Sequence, residues 1–474
     1  MQEYGCIIGA DQVSSNRWIE VRNPYSGELV GRVASADKST IDQTLQRTHS
    51  ANVYLQRHER HDLLSRMAVR LAEQAAVVSR LITDESGLCF KDTQYEVQRA
   101  SDVLHFAAIE ALQDDSEVFP CDVSPVGRAR RIYTMRQPLH LIAAITPFNH
   151  PLNQVVHKIA PAIATNNKTI LKPSQLTPLS AYYVTKLALD CGMPPDMVNV
   201  VSGPTEEVAE PIVSSPLVDL VTFTGGTATG KRIAAIAGYK RLVLELGGSS
   251  AMLVLADADP AQAAAIAVTG VFKNSGQRCT AIRRLLVHES VADEFIRLLA
   301  ERVQNLKFGD PYDPATDVGT VITEHAAVEI ERRVELSVRQ GAKVIVGHAR
   351  QGAVCAPTVL DHVRNDHAVV ACETFGPVAP VIRFRTLDEA IQIANDTEFG
   401  LSGAVVSNHW PSIQRVITEL ETGTVNVNEA PSYRLEWSPF GGVKSSGLGY
   451  KEGVIEAMKS MTYVKTYSLP WDRP

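Results

Sequence analysis

The sequence predicts an α/β protein built from two parallel-sheet domains and a small β extension. From Leu139 onward, short apolar runs alternate with amphipathic helical segments, a rhythm that is typical of parallel strands joined by helices. The same rhythm starts again after Ser249, which predicts a second domain of the same kind. A chain of 474 residues also exceeds what one hydrophobic core usually supports.

Two segments lie outside this rhythm and predict the β extension. Residues 118–138 contain a basic cluster that runs into the strand-like stretch 132–135. The cluster fits a solvated strand edge or a subunit contact better than an anion site. The tail at 462–469 also has the pattern of a strand, and an isolated terminal strand needs a partner strand in this chain or in another subunit.

The remaining elements follow in order from the spacing of apolar residues. Residues 1–35 predict short extended pieces with turns, and residues 38–113 predict helices. Strands of the first sheet are predicted at 141–145, 169–171, 198–201, 217–223 and 242–246, and the helices between them at 152–164, 178–190, 204–214 and 228–237. The second sheet is predicted to use strands at 251–255, 284–287, 343–346, 368–371 and 381–384, with helices at 291–305 and 326–340.

Composition narrows the class of protein. Hydrophobic residues make up 45% of the chain and charged residues 21%, as in an ordinary globular protein. A net charge of −7 gives no electrostatic case for binding nucleic acid or an anionic membrane. No apolar run is long enough to span a bilayer, and the start lacks the pattern of a signal peptide. Seven scattered cysteines without a C-x-x-C pair predict reduced thiols in the cytoplasm, and neither a disulfide framework nor a metal site.

Polar residues follow the strands of the first sheet where each strand ends, which is where such sheets bind ligands. Asn149 follows the first strand and can donate its side-chain amide to an oxyanion. Lys172 follows the second strand and suits a ribose or a phosphate, and the glycine-rich turn at 225–230 leads into a helix whose first amides favour phosphate. Glu245 ends the fifth strand and can act as a desolvated general base. Each signal is weak alone, since such residues also occur in turns and on surfaces.

A single cysteine, Cys279, lies in a run of small and polar residues at 273–280, directly after Arg278. A thiolate is the nucleophile and a thiol is not, so the neighbouring positive charge is expected to make this cysteine more reactive. The alternative is a buried, inert cysteine. The nucleophilic interpretation needs an oxyanion donor, a base and a cofactor, and the strand ends supply candidates for all three.

Taken together, seven stretches resemble the aldehyde dehydrogenase superfamily in order and spacing, over nearly the whole chain. They are the Asn149 loop, Lys172-Pro173-Ser174, Phe223-Thr224-Gly225, Glu245-Leu246-Gly247-Gly248, Gly276-Gln277-Arg278-Cys279, Glu373-Thr374-Phe375-Gly376-Pro377 and Pro439-Phe440-Gly441-Gly442. The resemblance implies an aldehyde dehydrogenase-like fold with a cofactor domain, a catalytic domain and an oligomerisation extension.

The resemblance also implies roles for the catalytic candidates. Cys279 would attack the aldehyde carbon, and the Asn149 amide and the Cys279 backbone N–H would hold the oxyanion. Glu245 would activate the water that hydrolyses the thioester. Family members that pass the acyl group to coenzyme A typically lack this glutamate, so its presence favours water and a carboxylate product.

NAD is the cofactor that the resemblance implies, with NADP as the alternative. Its binding residues would be Thr146, Pro147, Phe148, Lys172, Ser174, Gln175, Gly225, Gly226, Gly230, Gly247, Glu373 and Phe375. The family often has glutamate at Gln175, where it repels a 2′-phosphate, and a glutamine can bond the hydroxyl without that repulsion. The family also often has serine at Gly226, which would remove one phosphate contact here.

For the substrate, the chain resembles the phosphonoacetaldehyde dehydrogenases in particular, in the stretches around Tyr95–Arg99, Asn149, Cys279 and Ser432–Glu436. Arg99, His150, Arg278 and Arg434 would then bind a small aldehyde with a terminal phosphonate, because arginine bonds two anionic oxygens at once. Arg278 could instead pair inside its own loop, Arg99 could be a solvated helical residue, and His150 a packed loop histidine.

Several alternatives stay open from the residues alone. A sulfonated aldehyde, glyceraldehyde 3-phosphate, a semialdehyde or phosphonoformaldehyde would present a similar anion. The fold could also serve an acylating dehydrogenase or a non-catalytic binding protein. A protein without catalytic activity, however, has no need for Cys279, Glu245 and Asn149 together.

The resemblance divides the chain into functional segments. Residues 1–117 and 139–246 would form the NAD-binding domain, and 247–444 the catalytic domain. Residues 118–138 and 460–474 would bridge subunits of a homodimer or homotetramer.

Overall fold

The computed structural model describes residues 2–449 and 452–471. Met1 of the predicted NAD-binding domain and residues 472–474 of the predicted bridging segment lie outside the described residues, as do residues 450 and 451. The described chain contains two seven-stranded sheets, one for each of the two domains that the sequence predicts.

The first sheet contains all five strands predicted for it, side by side and parallel. Two N-terminal strands extend it in antiparallel fashion. In spatial order its strands are Arg241–Glu245, Leu220–Thr224, Leu141–Ile145, Lys168–Lys172, Val198–Val200, Cys6–Ile8 and Asp11–Val13. The three strands at its centre are buried along their whole length, which is why they are rich in aliphatic residues. The other N-terminal strands, Gln2–Tyr4, Leu29–Ala34 and Trp18–Arg22, form a small separate sheet.

Helices cover both faces of the first sheet, and short polar side chains begin some of them. Asp37, for example, accepts a hydrogen bond from the Thr40 backbone N–H at 2.8 Å and so begins the first helix. The helices of this half are Lys38–Ser50, Arg57–Glu73, Ala75–Ser86, Phe90–Ala111, Asn153–Ala164, Leu179–Asp190, a π-helical turn Thr205–Ala209 that continues as Glu210–Ser214, and Thr227–Ile236.

The second sheet is parallel except at one edge, where Lys343–Val346 runs antiparallel to its neighbour. In spatial order its strands are Lys343–Val346, Thr358–Asp361, Val378–Phe384, Ile282–His288, Ser250–Val254, Ser402–Val406 and Thr424–Val427. Its helices are Pro260–Phe272, a 3₁₀ turn Lys273–Gly276, Glu289–Gln304, Glu324–Arg339, Ala368–Ala371, Leu387–Asn395 and Trp410–Glu419. The last helix, Val454–Ser460, packs against the helices Asn153–Ala164 and Phe90–Ala111 of the first half. Two-residue ladders join Arg350–Gln351 to Val354–Cys355 and Phe399–Gly400 to Val443–Lys444.

The strand predicted at 368–371 is wrong, because this stretch forms one turn of helix. Its backbone N–H groups find partners without a neighbouring strand: those of Val370 and Ala371 donate to the His367 carbonyl. The Val369 N–H donates to the Ser337 hydroxyl. The buried valines suggested a strand, but a single helical turn buries them equally well against the core.

The β extension is a three-stranded antiparallel sheet in the order Thr462–Pro470, Arg130–Pro138, Val118–Pro120. The predicted tail strand is therefore present, and its partner lies in the same chain. Val464, Tyr467 and Leu469 on this strand remain exposed. The bridging role of the extension stays a prediction. No helix in the described part of the chain is both long and apolar enough to cross a bilayer.

Two glycines at the start of the helix Thr227–Ile236 allow a test of side-chain packing. A Cβ at Gly230 would lie 2.3 Å from the buried Leu246 side chain, whereas a Cβ at Gly226 would meet nothing within 4 Å. Gly230→Ser should therefore lower the free energy of unfolding by about 1–3 kcal/mol through overpacking. Gly226→Ser should leave it unchanged or raise it by a few tenths, because serine is a good N-cap. Denaturant unfolding of the matched pair checks this, and equal stabilities would contradict the packing shown.

Candidate active site

A cavity of about 550 Å³ lies where the first sheet's strands end and where the chain leads into the second sheet. All three catalytic candidates, all four substrate candidates and every cofactor candidate except Gly230 line it. Gly230 does not line the cavity; a Cβ there would lie 2.3 Å from the Leu246 side chain, so this glycine allows close packing, and its contact with the cofactor stays a prediction. Among the described residues, no group of three or more histidine, cysteine or acidic side chains is arranged to hold a metal ion.

The nucleophile loop, residues 273–280, is held in a strained shape by buried partners. Asn274 and Ser275 adopt left-handed backbone angles, with φ of 61° and 53°. The Asn274 N–H donates to the Asp92 carboxylate at 2.7 Å. The buried Arg283 donates to the Gly276 and Arg278 carbonyls, and so fixes the loop just before Cys279. Such strain persists only where the surroundings enforce it, which makes this loop a preorganised site.

Asn149 is joined to the nucleophile loop by two hydrogen bonds that run in opposite directions. Its side-chain Nδ2 donates to the Gln277 carbonyl at 2.8 Å, and the Asn274 Nδ2 donates to the Asn149 carbonyl at 3.0 Å. An amide nitrogen has two hydrogens, so one N–H of Asn149 remains for an oxyanion at the cavity.

Cys279 is half-buried at the cavity, and its thiol has a raised pKa. Burial raises its pKa to about 12, and the carboxylates of Glu245 and Glu373 add to the rise. Arg278 and Cys279 interact electrostatically, as expected, but burial outweighs this attraction. Arg278 turns its Nη2 toward the Thr269 and Gly270 carbonyls, at 2.8 and 3.1 Å, and Arg434 is the cation with the largest effect in lowering the thiol pKa.

Glu245 ends its strand within electrostatic reach of Cys279. Its side chain is 3% exposed, and its backbone carbonyl accepts from the Gly225 N–H at 3.0 Å. Gly248 lies behind the nucleophile, where a Cβ would come within 2.3 Å of the Cys279 carbonyl, so only glycine allows this close approach. The Glu245 carboxylate and the Cys279 sulfur thus line the same cavity and interact electrostatically.

Several polar groups line the cavity on the side of the first sheet and fit a dinucleotide. The hydroxyls of Thr146 and Thr224 are buried without a partner among the residues described. Burial lowers the pKa of Lys172 to about 8, although Glu206 opposes the fall. Gln175 donates its side-chain N–H to the Gly203 carbonyl. Ribose hydroxyls and a pyrophosphate require hydrogen-bonding groups such as these. The glycine turn at the start of the next helix adds backbone N–H groups that favour phosphate.

Glu373 and Phe375 line the part of the cavity that lies toward Cys279. The Glu373 carboxylate accepts from the Gly248 N–H at 3.0 Å, and burial raises its pKa. Phe375 has a φ of 50°, uncommon for a residue with a large side chain, and its ring meets that of Phe148 edge to face at 5.8 Å. These side chains place a carboxylate and an aromatic edge near Cys279.

Arg99, His150, Arg278 and Arg434 lie together and form the anion pocket, a name used below for these four residues. Burial, with Arg99, Arg278 and Arg434, holds the pKa of His150 well below its usual value, so its imidazole is neutral. Arg99 is mostly buried, not solvated. The Arg278 Nε and the Arg434 Nη1 are buried without a hydrogen-bond partner among described residues. Buried guanidinium groups with spare donors are suited to an anionic ligand.

Sequence reasoning gave no role to two residues at this site. Gln154 lines the cavity from the start of the helix Asn153–Ala164, and its side-chain oxygen is buried without a partner in the described structure. Glu436 accepts a hydrogen bond from Arg99 and also contacts His157. Gln154 is close to Asn149 in sequence, which could have drawn attention to it, but the contacts of Glu436 join distant parts of the chain.

Comparison with known proteins agrees with this geometry. A family model described as the aldehyde dehydrogenase family matches residues 11–467. Aspartate-semialdehyde dehydrogenase 1 from Pseudomonas canavaninivorans is 37% identical over 95% of this chain and 96% of that protein. Sulfoacetaldehyde dehydrogenase from Neptuniibacter caesariensis is 35% identical over 94% of this chain and 98% of that protein. The solved NADP-dependent glyceraldehyde-3-phosphate dehydrogenase from Bacillus halodurans C-125, complexed with NADP, has a TM-score of 0.94 at 33% identity and covers 99% of this chain and 100% of that one.

The raised pKa of the Cys279 thiol predicts a steep pH dependence of alkylation in the free protein. Because the thiolate is the reactive form and its pKa is raised to about 12, the rate with iodoacetamide should rise nearly tenfold per pH unit from about pH 7 to 10. Mass spectrometry of the Cys279 peptide measures this rate, with the exposed Cys372 followed in the same digest. A plateau near neutral pH would show that the thiol is already activated.

Proposed function

This chain belongs to the aldehyde dehydrogenase family, and we propose that it oxidises phosphonoacetaldehyde, a small aldehyde with a dianionic head group, to phosphonoacetate. As a member of that family it is an NAD(P)-dependent enzyme that oxidises aldehydes, and the resemblance seen in its sequence is confirmed at this level. The proposal concerns the particular aldehyde, the roles of the site residues and the assembly.

The charge of the anion pocket is the observation that carries the proposal. The pocket holds three guanidinium groups, of Arg99, Arg278 and Arg434, while His150 is neutral. One carboxylate, that of Glu436, contacts Arg99 and Arg434. Among these groups, two positive charges are left uncompensated in a buried site. A dianion would neutralise both, whereas a monoanion of the same shape would leave one buried charge unpaired, which is costly.

Most other charged groups nearby act on each other in pairs, and Glu96 is the exception: its carboxylate interacts with Arg99, and burial raises its pKa to about 7. Asp92 and Lys273 lie next to Arg278 and act on each other. Glu452 accepts from the buried Lys158 at 2.8 Å. The pocket thus keeps an excess of positive charge near the bound head group, two charges when Glu96 is protonated and one when it is ionised.

Several relatives support an anionic aldehyde without deciding which one, whereas lactaldehyde dehydrogenases of similar identity are named for a neutral aldehyde. The names of the former point to aldehydes that carry a carboxylate, a sulfonate or a phosphate ester. A phosphate ester such as glyceraldehyde 3-phosphate is also a dianion, so another anionic aldehyde of this charge is the alternative. The sulfonate and the semialdehyde carboxylate are monoanions and match the pocket less well.

The residues around Cys279 account for the chemistry as follows. The Cys279 thiol loses its proton to the Glu245 carboxylate, which returns it to solvent, and the sulfur attacks the aldehyde carbon. The resulting oxyanion accepts hydrogen bonds from the remaining Asn149 N–H and from the Cys279 backbone N–H. After oxidation the acyl group is held as a thioester. Glu245 then removes a proton from water, which attacks the thioester and releases the carboxylate and the thiol.

The adenosine and pyrophosphate of NAD(P) would be held by Gly225, Gly226, Lys172, Ser174 and Gln175. The remaining predicted cofactor-binding residues would surround the rest of the dinucleotide. Among them, Glu373 and Phe375 would lie nearest the nicotinamide. When bound, the cofactor supplies the acceptor for the hydride that leaves the substrate carbon. Gln175 carries no charge to repel a 2′-phosphate, so we propose NAD as the cofactor with NADP also accepted.

The functional segments form part of the same proposal. The first sheet and its helices would bind the cofactor, the second sheet would carry the nucleophile, and the three-stranded extension would join subunits of a homodimer or homotetramer. The exposed apolar residues of the tail strand support the last assignment. All seven cysteines are free thiols, which supports a location in the reducing cytoplasm.

A panel of aldehydes tests the proposed substrate. We expect kcat/KM for NAD reduction at about pH 8 to be highest for phosphonoacetaldehyde and at least about tenfold lower for sulfoacetaldehyde, which has the same length and a single charge. Propanal, a neutral control, should be poorer still. A best rate with sulfoacetaldehyde or a semialdehyde would contradict the charge assignment, and no NAD or NADP reduction with any aldehyde would favour a binding protein.

A further inference from the structure

Glu436 is a buried carboxylate behind the anion pocket, in the segment that follows the strand Thr424–Val427. Its side chain is 5% exposed. Its Oε1 accepts a hydrogen bond from the Arg99 Nε, and its Oε2 contacts the His157 Nε2. The same Oε2 lies 3.7 Å from the Arg434 Nη2. One carboxylate therefore contacts two of the three arginines that would face the substrate.

The partners of Glu436 come from separate parts of the fold. Arg99 lies on the helix Phe90–Ala111 and His157 on the helix Asn153–Ala164. The backbone of Glu436 is also fixed, because its carbonyl accepts from the Val454 N–H at 3.0 Å. The carboxylate thus ties the loop that carries Arg434 to the helix that carries Arg99.

The carboxylate stays ionised despite its burial. Burial alone would raise the pKa of Glu436, but Arg434, Arg99 and His157 outweigh that effect and hold the pKa well below its usual value. Without this negative charge the two guanidinium groups would lose the one carboxylate that contacts both of them, and they would repel each other more strongly.

The contacts of Glu436 leave donors on both arginines for a ligand. Arg99 uses Nε for Glu436, and its other nitrogens make no hydrogen bond to any residue that the structure describes. Arg434 packs its guanidinium over the Phe440 ring at 4.0 Å, and its Nη1 is buried without a partner among the described residues. Both side chains line the cavity, so their spare N–H groups are available there.

We propose that Glu436 is a positioning residue that sets the selectivity of the enzyme for anionic aldehydes. It does not contact the substrate; it acts by holding Arg99 and Arg434 in the orientation in which their spare donors meet the head group. The inference rests on the proposed function, because it needs the anion pocket to bind the substrate.

The test compares the ratio of kcat/KM for phosphonoacetaldehyde to kcat/KM for propanal across variants. We expect Glu436→Ala to lower this ratio on the order of tenfold, mainly through a higher KM for the anionic aldehyde. Glu436→Gln keeps the side-chain volume and an acceptor oxygen for Arg99 but loses the ion pair, so it should fold and give a smaller loss in the same direction. Glu429→Ala, at an exposed glutamate in the same segment, is the matched control and should leave the ratio unchanged.

A double-mutant cycle with Arg99→Ala separates positioning from a general loss of structure. If Glu436 acts through Arg99, the double variant should lose less than the product of the two single losses. Equal fractional losses for the anionic and the neutral aldehyde, or losses that multiply in the double variant, would overturn the inference while leaving the proposed substrate intact. A wild-type enzyme without any preference for the anionic aldehyde would instead contradict the proposed function itself.

Discussion

Two opposed hydrogen bonds between the Asn149 loop and the nucleophile loop fix the geometry on which the active site depends. One runs from the Asn149 side chain to the Gln277 carbonyl, and the other from the Asn274 side chain to the Asn149 carbonyl. Asn149 follows a strand of the first sheet, whereas Gln277 and Asn274 precede a strand of the second. The bonds therefore set the spacing between the oxyanion donor and Cys279 at the point where the two sheets meet. Buried polar groups that satisfy one another in this way specify a single arrangement.

Burial determines which side chains near these two loops carry a charge. It keeps Cys279 as a neutral thiol and His150 as a neutral imidazole in the free protein. The positive charge of the site is thus carried by guanidinium groups, which remain protonated at any physiological pH. Burying three such groups is expensive unless a counter-ion accompanies them, and Glu436 provides it. The charge that remains is then available to a substrate that arrives with its own negative charge.

Much of the fold could be predicted from the sequence, because apolar periodicity and polar residues at strand ends are local signals. Asn149, Lys172 and Glu245 stand directly after or at the end of their strands, and the cavity gathers them as that rule requires. The stretch 368–371 was predicted wrongly because four apolar residues fit a helical turn as well as a strand. Where a residue's role depends on long-range contacts, the sequence was a poorer guide. The contacts of Glu436 are the clearest case, since its partner Arg99 lies 337 residues away. The direction of the Arg278 side chain and the packing of Gly230 depend on nearer residues, but on their positions in the folded chain and not on a sequence pattern.

The most direct measurement of the central claim is a crystal structure of the Cys279→Ser variant with NAD and phosphonoacetaldehyde bound. We predict the aldehyde oxygen within hydrogen-bond distance of the Asn149 amide, the aldehyde carbon facing residue 279, and the phosphonate in contact with Arg99, Arg278 and Arg434. A phosphonate bound away from these arginines, or an aldehyde carbon turned away from residue 279, would contradict the account.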